Sequence, residues 1–438
     1  MDRHSDPRNR VRKVEQRVAM QYEQYPYPQY KDVNEIRFIT AAHMERLNHH
    51  CFGGRQSFQA FNVLEAGCGT GDALLSLAKQ FANMEGNLHI VGIDLSAASL
   101  KIAQKRLNHH GLSEYVTLRQ ISILDVPEFC TGRKAVFPKF DYIICNGVLH
   151  HMESPLLGLK ALARCLKPNG CMYIMMYAKY GRLGIDLLQQ FLRTLTADFA
   201  ENRDKLAIAK AALDMLPDHA LFKIQPTSTD MAMGDAGIYD LLLHSKNHMM
   251  ALPEVFKMVK QAGLHFNKFA DCPWLYEPRN TFKEPILSAI LALPRERQFE
   301  MCELFHTSIC NHCFYVTAAD PSAACAKMSD LDNIPLIGSD LMWLRDLVRS
   351  APNEAARASL KLGGINLDFS INISVKKFID LVDGRRTLGK IYEQGSKDLN
   401  ISRRTFVDDI REFTDLMVRN YILLLCHKDT MIKYRQPL

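Results

Sequence analysis

The sequence predicts an α/β fold in which a mostly parallel sheet is wrapped by helices on both faces. Short apolar runs alternate with helical segments between residues 61 and 178, and the same rhythm resumes between 252 and 319. Strands that alternate with helices of about 10–15 residues are typical of doubly wound parallel sheets. The first strand also ends in a glycine-rich turn, a feature of ligand-binding sheets of this class.

The predicted elements follow one another in a regular order. The first region contains five strand-like runs and three helical ones, namely FNVLEAG (61–67), DALLSLAKQF (72–81), HIVGID (89–94), SAASLKIAQKRL (96–107), YVTLRQI (115–121), FDYIICN (140–146), PLLGLKALARCLK (155–167) and CMYIMMYA (171–178). A helix at 252–264 and strands at 265–271 and 312–319 complete the pattern. Runs of consecutive apolar residues indicate strands buried on both faces.

The segment before the sheet is polar and unusually rich in tyrosine and proline. Residues 22–30 read YEQYPYPQY, with four tyrosines and two prolines. Prolines at 26 and 28 exclude a regular helix across the middle of this segment. We expect residues 1–45 to comprise a solvated tail, over the first 18 residues, followed by a Tyr/Pro-rich lid over the site. Aromatic faces favour cations, and Tyr22 and Tyr25 are the lid candidates.

Two helical insertions and a C-terminal domain extend the predicted sheet domain, which spans 46–320. The insertions cover about 181–250 and 275–310. A stretch rich in Pro, Ala and Ser at 320–338 is interpreted as a linker. Residues 339–438 are mostly helical in pattern and end in the apolar strand YILLLC, an order that resembles a winged-helix domain. This C-terminal domain is a candidate surface for a protein partner.

Composition restricts the class of protein and its compartment. The 438 residues are 47% hydrophobic and 23% charged, which excludes wholesale disorder. No stretch reaches about 18 consecutive apolar residues, so no membrane span is expected. The N-terminus lacks the apolar core of a secretory signal, and an organelle transit peptide is a minor alternative. The twelve scattered cysteines are interpreted as free, buried thiols of a cytoplasmic protein. A net charge of +6 does not demand a nucleic-acid partner.

The strongest local signal is the run V-L-E-A-G-C-G-T-G-D at 63–72, where a strand turns directly into a helix. Glycines let a ligand approach the backbone, and the helix N-terminus offers free N–H groups. Asp72 stands where a dinucleotide-binding fingerprint has its third glycine or alanine. Asp94 ends the second strand, 23 residues after Gly71, where a carboxylate can accept hydrogen bonds from ribose hydroxyls. The alternative for Asp94 is a helix N-cap or a surface carboxylate.

Four motifs in order resemble the class I S-adenosylmethionine-dependent methyltransferases. They are E-A-G-C-G-T-G, V-G-I-D-L-S, F-D-Y-I-I-C-N-G-V-L-H-H and L-K-P-N-G, and they span about 61–178. The resemblance implies a seven-stranded Rossmann-like sheet whose last strand runs antiparallel, with S-adenosyl-L-methionine as cofactor. It also implies roles for individual residues: Glu65, Gly67, Cys68, Gly69 and Gly71 at the methionine end, Asp94 at the ribose, and Leu95 near the adenine.

The adenine contact departs from the family pattern. The family often has an acidic residue near the end of the third strand, and this sequence has Ser122 there. Ser122, or the backbone at Ile121 and Ile123, is the candidate for that contact, and Asp125 is the alternative. Asn146 ends the fourth strand, where the crevice rule for open sheets places it at the junction of cofactor and substrate.

The catalytic candidates are Asn146, His150 and the lid residue Tyr25. A histidine just past the fourth strand, as His150 and His151 are, is a candidate general base. Equally, these histidines pack against the pocket without chemistry, and the sequence leaves both interpretations open. Methyl transfer is an in-line displacement that depends mainly on positioning, and it needs a base only for weakly acidic acceptors.

Two further patterns are weaker. Cys302, His306, Cys310 and Cys313 form C-x3-H-x3-C-x2-C, but no second C-x2-C pair follows, so buried thiols are favoured over a metal site. The pairs Arg385-Arg386 and Arg403-Arg404 favour a solvated face over a phosphate or acidic partner.

The acceptor is the least determined part of the prediction. The order of Y-P-Y-P, the core, the insertion with Y-D-L-L-L-H and V-D-G-R-R-T-L is similar to bacterial methyltransferases with a methyltransferase regulatory domain, some of which modify protein lysines. This favours a protein acceptor. The alternatives are a small-molecule methyltransferase and a non-catalytic assembly factor that binds the cofactor. A nucleic-acid acceptor is disfavoured, because residues 146–149 read N-G-V-L where amino-methylating enzymes carry an Asn/Asp-Pro-Pro motif.

Overall fold

Seven strands form one sheet at the centre of the structure, a computed structural model that describes residues 7–30, 32–37, 39–84, 86–225, 229–338, 343–352 and 356–430. The strands are β1 (Ala60–Ala66), β2 (Asn87–Asp94), β3 (Val116–Gln120), β4 (Phe140–Asn146), β5 (Leu166–Tyr177), β6 (His265–Phe269) and β7 (Asn311–Thr317). Their order is β3-β2-β1-β4-β5-β7-β6. Only β7 runs antiparallel, to both of its neighbours. The predicted seven-stranded sheet with an antiparallel last strand is confirmed.

The helices surround this sheet. In chain order they are α1 (Pro7–Gln24), α2 (Met44–Cys51), α3 (Asp72–Asn83), α4 (Ala97–His109), α5 (Val126–Cys130), α6 (Pro155–Cys165), α7 (Leu183–Leu195), α8 (Asn202–Met215), α9 (Leu221–Ile224), α10 (Gly234–Ile238), α11 (Leu252–Gln261), α12 (Pro278–Thr281), α13 (Ile286–Leu291), α14 (Arg295–His306), α15 (Trp343–Ser350), α16 (Ile373–Leu381), α17 (Leu388–Leu399) and α18 (Arg403–Arg419). No helix among the described residues is long and apolar enough to cross a membrane.

Alternate residues of the central strand pack against different helical layers. Val63 faces a core formed with α2 and α3, whereas Leu64 faces a core formed with α6 and α11. A strand buried on both faces needs apolar residues at every position, which explains its continuous apolar sequence. The strand order reverses between β1 and β4. In open sheets, the crevice outside the carboxyl ends of such strands is the usual ligand site.

The segment 181–250 is helical, as expected for an insertion. It contains α7 to α10 and ends in a π-helical turn, Tyr239–Leu243. Its own small core includes Leu188, Leu192 and Phe222. The segment 275–310 contains α12 to α14, which pack partly on Ile290 and Cys302. Both insertions lie at the edge of the ligand crevice, because Asp240 and Tyr276 each line it.

The N-terminal segment differs from the expected solvated tail. Residues 7–24 form the helix α1, which packs along α4. The helix ends just before the prolines, and residues 25–30 continue as an irregular strap. The α1 helix and this strap, residues 7–30, together form a roof over the crevice. The composition suggested a tail because most of these residues are polar, but one face of the helix is apolar enough to dock.

The C-terminal region is built from helices α15 to α18 and two small sheets. The strands β9 (Ala356–Leu362) and β10 (Ile365–Ile371) form a hairpin that the helical pattern did not predict. The strand β8 (Asn333–Ile337) pairs antiparallel with β11 (Leu423–His427). The second half of the expected linker, 320–338, therefore belongs to the C-terminal domain. Whether this domain is a winged helix stays a prediction.

The basic pairs of the C-terminal domain have acidic neighbours of their own. Arg386 lies 3.1 Å from a carboxylate oxygen of Asp383, and Arg404 lies 3.8 Å from Asp408. Exposed ion pairs of this kind contribute little to the free energy of folding. They pair these arginines with nearby carboxylates and do not indicate a binding site. They are consistent with the solvated face favoured from the sequence.

Candidate functional site

A cavity of about 670 Å³ lies at the carboxyl ends of the central strands. One end lies between α1 and the residues that follow β3, and the other lies against β7 and the loop after β6. The predicted site residues that line it are Tyr22, Glu65, Gly67, Cys68, Gly69, Asp94, Leu95, Ser122, Ile123 and Asn146. Three predicted site residues, Gly71, Tyr25 and His150, are not part of the wall. A volume of this size accommodates a nucleoside-sized ligand together with part of a second molecule.

The glycine-rich turn brings backbone N–H groups to the cavity wall. Gly67, Gly69 and Gly71 all have positive φ angles, which side chains rarely adopt. Gly71 has a different task from the one expected. It caps the N-terminus of α3 with φ 95°, and a Cβ there would lie 3.1 Å from Ala103. Gly71 therefore shapes the turn and lets α4 pack closely, while Gly67 and Gly69 face the cavity.

Asp94 lies at the end of β2 with both carboxylate oxygens oriented by the backbone. The Gly69 amide donates to Oδ2 at 2.8 Å, and the Ser96 amide donates to Oδ1 at 2.8 Å. Burial raises the pKa of Asp94, and these backbone hydrogen bonds oppose that rise. Each oxygen keeps a second lone pair for a ribose hydroxyl. The alternative as an N-cap does not hold, because Ser96 caps α4 by accepting from the Ser99 amide.

Glu65 offers an unpaired oxygen inside the cavity wall. Its side chain is buried, and its Oε2 has no hydrogen-bond partner among the described residues. Burial raises the pKa of Glu65, with Asp72 as the next cause. A buried carboxylate without a partner costs free energy that a donor ligand recovers. An ammonium group, such as that of a methionine moiety, fits this oxygen.

The roof covers the cavity with one face of α1 and with the strap. Val14, Glu15, Val18 and Tyr22 lie on one helical face and line the cavity. The strap places Tyr27 and Pro28 against the glycine-rich turn, where the Thr70 hydroxyl donates to the Pro28 carbonyl at 2.7 Å.

Tyr22 and Tyr25, the two lid candidates, have different surroundings. The Tyr22 hydroxyl donates to Asp240 Oδ1 at 2.8 Å, and its ring lines the cavity. Tyr25 instead stacks on Tyr239 with ring centroids 4.6 Å apart, outside the cavity wall. The structure therefore brings Tyr22 to the site, and it places Tyr25 at the joint between the roof and the insertion.

Arg106 joins the roof to the glycine-rich turn, and the sequence did not single it out. Its guanidinium, almost fully buried, donates to the Thr70 carbonyl at 2.8 Å and to the Glu35 carbonyl at 2.7 Å. It pairs with Asp72 at 3.0 Å and lies 4.3 Å from the ring centre of Tyr30. The only sequence signal was a charged residue on the inner face of an otherwise regular helix.

The two adjacent histidines separate into different environments. His150 is fully buried, stacks on Tyr177 with ring centroids 3.6 Å apart, and has no partner for either ring nitrogen among the described residues. Its pKa lies well below the usual value, because burial and then His151 disfavour its charged form. His151 lines the cavity, and its Nδ1 lies 2.9 Å from the Lys246 carbonyl. The histidine that reaches the site is therefore His151, whereas His150 packs behind it.

The far end of the cavity is polar and belongs to the elements after β4, β6 and α14. Asn146 ends β4 and faces the cavity. Asp271 and Tyr276 follow β6, and Asn311 begins β7, all along the wall. The Tyr276 hydroxyl lies 3.0 Å from His312 Nδ1, and His312 Nε2 lies 3.0 Å from Glu303. This buried series of hydrogen bonds, from Tyr276 through His312 to Glu303, fixes the Tyr276 side chain at the edge of the space beyond Asn146.

Two residues of the C-x3-H-x3-C-x2-C run, for which the sequence favoured buried thiols over a metal site, make other contacts. Cys302 packs with Phe282 and Ile290, and His306 Nε2 lies 3.0 Å from the Thr281 hydroxyl. Three other groups of His, Cys and acidic side chains lie close enough to share an ion within the described part of the chain. They are His49 with His50 and Cys325, His151 with Asp240 and His244, and Asp330 with Asp332 and His427.

One family model and several known proteins match parts of this chain. Residues 64–172 match the family described as a methyltransferase domain. An uncharacterised protein of Synechococcus is 26% identical over 310 residues, which are 69% of this chain and 72% of that protein. The ubiquinone biosynthesis O-methyltransferase of Pasteurella multocida is 35% identical over 117 residues, which are 25% of this chain and 44% of that enzyme.

A solved structure extends the similarity across most of the chain. PKMT2 from Rickettsia typhi, in complex with AdoHcy, superposes with a TM-score of 0.61 and covers 89% of this chain and 76% of its own. The two sequences are 14% identical, so this similarity shows a shared fold.

Proposed function

We propose that this chain, a class I S-adenosylmethionine-dependent methyltransferase by its matched domain and its fold, methylates an amine on a basic protein segment. The observation that carries the choice of acceptor is the charge of the cavity wall. Acidic residues outnumber basic ones by six to two, namely Glu15, Glu65, Asp72, Asp94, Asp240 and Asp271 against Arg37 and Arg182. Burial raises the pKa of Glu15, Glu65 and Asp94, and a cationic or hydrogen-bond-donating ligand opposes that rise by stabilising their charged forms. A cleft lined by one sign of charge attracts and orients ligands of the other sign.

The histidine in the wall does not offset this charge. Burial lowers the pKa of His151 to about 4, so its imidazole is neutral near pH 7. One basic wall residue, Arg182, is itself buried and stacks on Tyr177, 3.5 Å from its ring centre. A cationic side chain such as lysine therefore enters a negative environment, and the positive charge of a sulfonium favours the same surroundings.

The roles of individual residues follow from their positions. S-adenosyl-L-methionine supplies a methyl group on a sulfonium, ready for in-line displacement. Glu65 accepts from its amino group, and Asp94 accepts from the ribose hydroxyls. Asn146 accepts a hydrogen bond from the attacking nitrogen, which leaves the nitrogen lone pair directed at the methyl carbon. Asp271 pairs with the incoming ammonium, which releases one proton to bulk water before its neutral nitrogen attacks. The N–CH3 bond then forms as the S–CH3 bond breaks, and S-adenosylhomocysteine leaves as the neutral thioether.

Two alternatives remain as outcomes of the test. A small-molecule acceptor is favoured by the ubiquinone biosynthesis O-methyltransferases among the relatives, although that match covers a quarter of this chain. A protein acceptor is favoured by the name of PKMT2, a protein lysine methyltransferase, which resembles this chain over most of its length. The second alternative is a factor that binds the cofactor and transfers nothing.

The deciding experiment supplies S-adenosylmethionine with a labelled methyl group to the purified full-length protein and to fractions of a cell lysate. We expect the labelled methyl group to be incorporated into protein and to be recovered as methyllysine after acid hydrolysis. Asp271→Asn should strongly reduce the amount of label transferred. Lys160→Ala, a change away from the cavity, is the control. Label that appears only in small molecules would favour the first alternative. No transfer despite micromolar cofactor binding would favour the second.

A further inference from the structure

Ser122, the residue that follows β3 at the adenine end of the cavity, already has its hydroxyl committed within the protein. The Ser122 hydroxyl donates to a carboxylate oxygen of Glu15, and it accepts from the Leu124 amide at 3.1 Å. A hydroxyl has one proton, so Ser122 has no donor left for a ligand. Ser122, which the sequence suggested as the adenine contact, therefore holds the side chain of Glu15, a residue of α1.

Glu15 presents its carboxylate to the cavity from the roof. It lies on the helical face that also carries Val14 and Val18, and all three line the cavity. Its Oε1 accepts from Ser122, and no donor hydrogen-bonds to Oε2 within the described part of the chain. Leu95 and Ile123 line the same end and offer apolar surfaces for the faces of a planar ring.

The helix is held in place by contacts that do not involve Glu15. Near its start, Arg10 pairs with Glu153 at 2.8 Å. Near its end, the Glu23 carboxylate accepts from the amides of Ala97 and Ala98, at the N-terminus of α4. These anchors fix the position of α1 from both sides. A change confined to the Glu15 carboxylate therefore leaves the roof in place.

We propose that Glu15 recognises the adenine base of the cofactor, with its carboxylate accepting a hydrogen bond from the exocyclic amino group. The amino group is the donor on that edge of adenine, and a carboxylate is an acceptor-only group that matches it. In this arrangement the adenine amino group is recognised by a residue of the roof and not by Ser122, which follows β3. The inference rests on the proposed function, since it assumes that the cavity binds an adenosine cofactor.

The test compares S-adenosylhomocysteine with S-inosylhomocysteine, in which an oxygen replaces the amino group and the neighbouring ring nitrogen N1 carries a hydrogen. Their dissociation constants are measured by calorimetry with the full-length protein. We expect the wild type to bind the adenosine ligand at least about tenfold more tightly, because the inosine oxygen faces the Glu15 carboxylate. In Glu15→Gln, the new amide donates to that oxygen, so the inosine ligand should bind more tightly than it binds the wild type.

The control variant is Glu23→Gln, on the same helix and in contact with protein groups alone. It should change both affinities by the same factor and keep their ratio. A ratio in Glu15→Gln equal to that of the wild type would overturn the inference and leave Glu15 as an anchor for Ser122. Binding of neither ligand to the wild type would overturn the proposed function itself, and the inference with it. A gain in affinity for the inosine ligand does not arise from misfolding.

Discussion

The hydroxyl of Tyr22 donates a 2.8 Å hydrogen bond to Oδ1 of Asp240, and this bond joins the roof to the helical insertion. The two residues are 218 positions apart in the sequence. Both line the cavity, so the bond closes the wall between the segment before the sheet and the segment after β5. A ligand in the cavity therefore lies against a wall in which the roof and the insertion are joined by this bond.

Tyr22→Phe should speed cofactor release by about fivefold, because it removes one hydrogen bond to a charged group that holds the roof closed. The rate is measured by stopped-flow displacement of S-adenosylhomocysteine. Tyr25→Phe is the matched control, since Tyr25 contributes its ring to stacking on Tyr239. Equal release rates in wild type and Tyr22→Phe would mean that the roof is held by other contacts.

Asp94→Ala should weaken cofactor affinity at least about tenfold. The change removes the acceptors for ribose hydroxyls and also leaves the Gly69 and Ser96 amides without their partner. Calorimetry measures the affinity, and thermal unfolding of the apo protein reports any general loss of stability. An unchanged dissociation constant would refute the ribose assignment.

Gly69→Ala should displace the strap and lower cofactor affinity. A Cβ at Gly69 would lie 2.7 Å from the Tyr27 carbonyl oxygen, a backbone atom with no easy way to move, and φ there is +51°. Gly111→Ala is the matched control, because Gly111 also has a positive φ of +67° and has open space around its Cβ position. Both variants carry similar backbone strain, so a larger loss of affinity in Gly69→Ala isolates the clash with the roof.

Stability should fall as the pH is lowered from 7 to 5, in part through His49. Burial, followed by the charge of Lys268, lowers its folded pKa from 6.5 to about 3. The unfolded state therefore binds a proton in this window and the folded state does not, so the contribution is full above about pH 6.5 and is lost below it. The loss is about 2 kcal/mol for one such histidine over this range.

Denaturant unfolding at a series of pH values measures this dependence. His49→Asn keeps an acceptor for the Leu425 amide and should flatten the slope between pH 7 and 5. His219→Asn, the same substitution at an exposed histidine, is the variant for comparison. An identical slope in His49→Asn and the wild type would show that His49 is not a source of the acid sensitivity.

The sheet and the cofactor-facing turn were predictable because their signals are local. The glycines of 67–71 and Asp94 each follow a strand directly, and strand ends in a parallel sheet meet at one edge. The order of elements then fixes which strand ends are neighbours. The same locality explains why Asn146 was placed at the junction from its position after β4.

The roof was harder to predict because its signals depend on distant partners. Glu15 touches Ser122 across 107 residues, and Arg106 touches Glu35 across 71. The N-terminal segment is polar and basic, so its sequence predicts a solvated tail unless the surface on which it docks is known. The difference between His150 and His151 has the same origin, because two adjacent residues in a 3₁₀ turn point in different directions.

The hairpin β9–β10 had a local signal of the usual kind. Buried and exposed residues alternate along Ile365–Ile371, and Gly363-Gly364 forms the turn between the strands. Two glycines between alternating strands are a standard hairpin pattern. The helical periodicity of the surrounding segments outweighed it in the prediction.

The long separations between the roof and its contacts bear on the order in which the chain reaches its final form. Residues 7–30 leave the ribosome well before Ser122 and Asp240, so the segment synthesised earlier has no surface to dock on until the sheet and the insertion exist. Closing loops of 107 and 218 residues is entropically costly before those partners are folded. We therefore expect the sheet to form as a unit first and the roof to dock last.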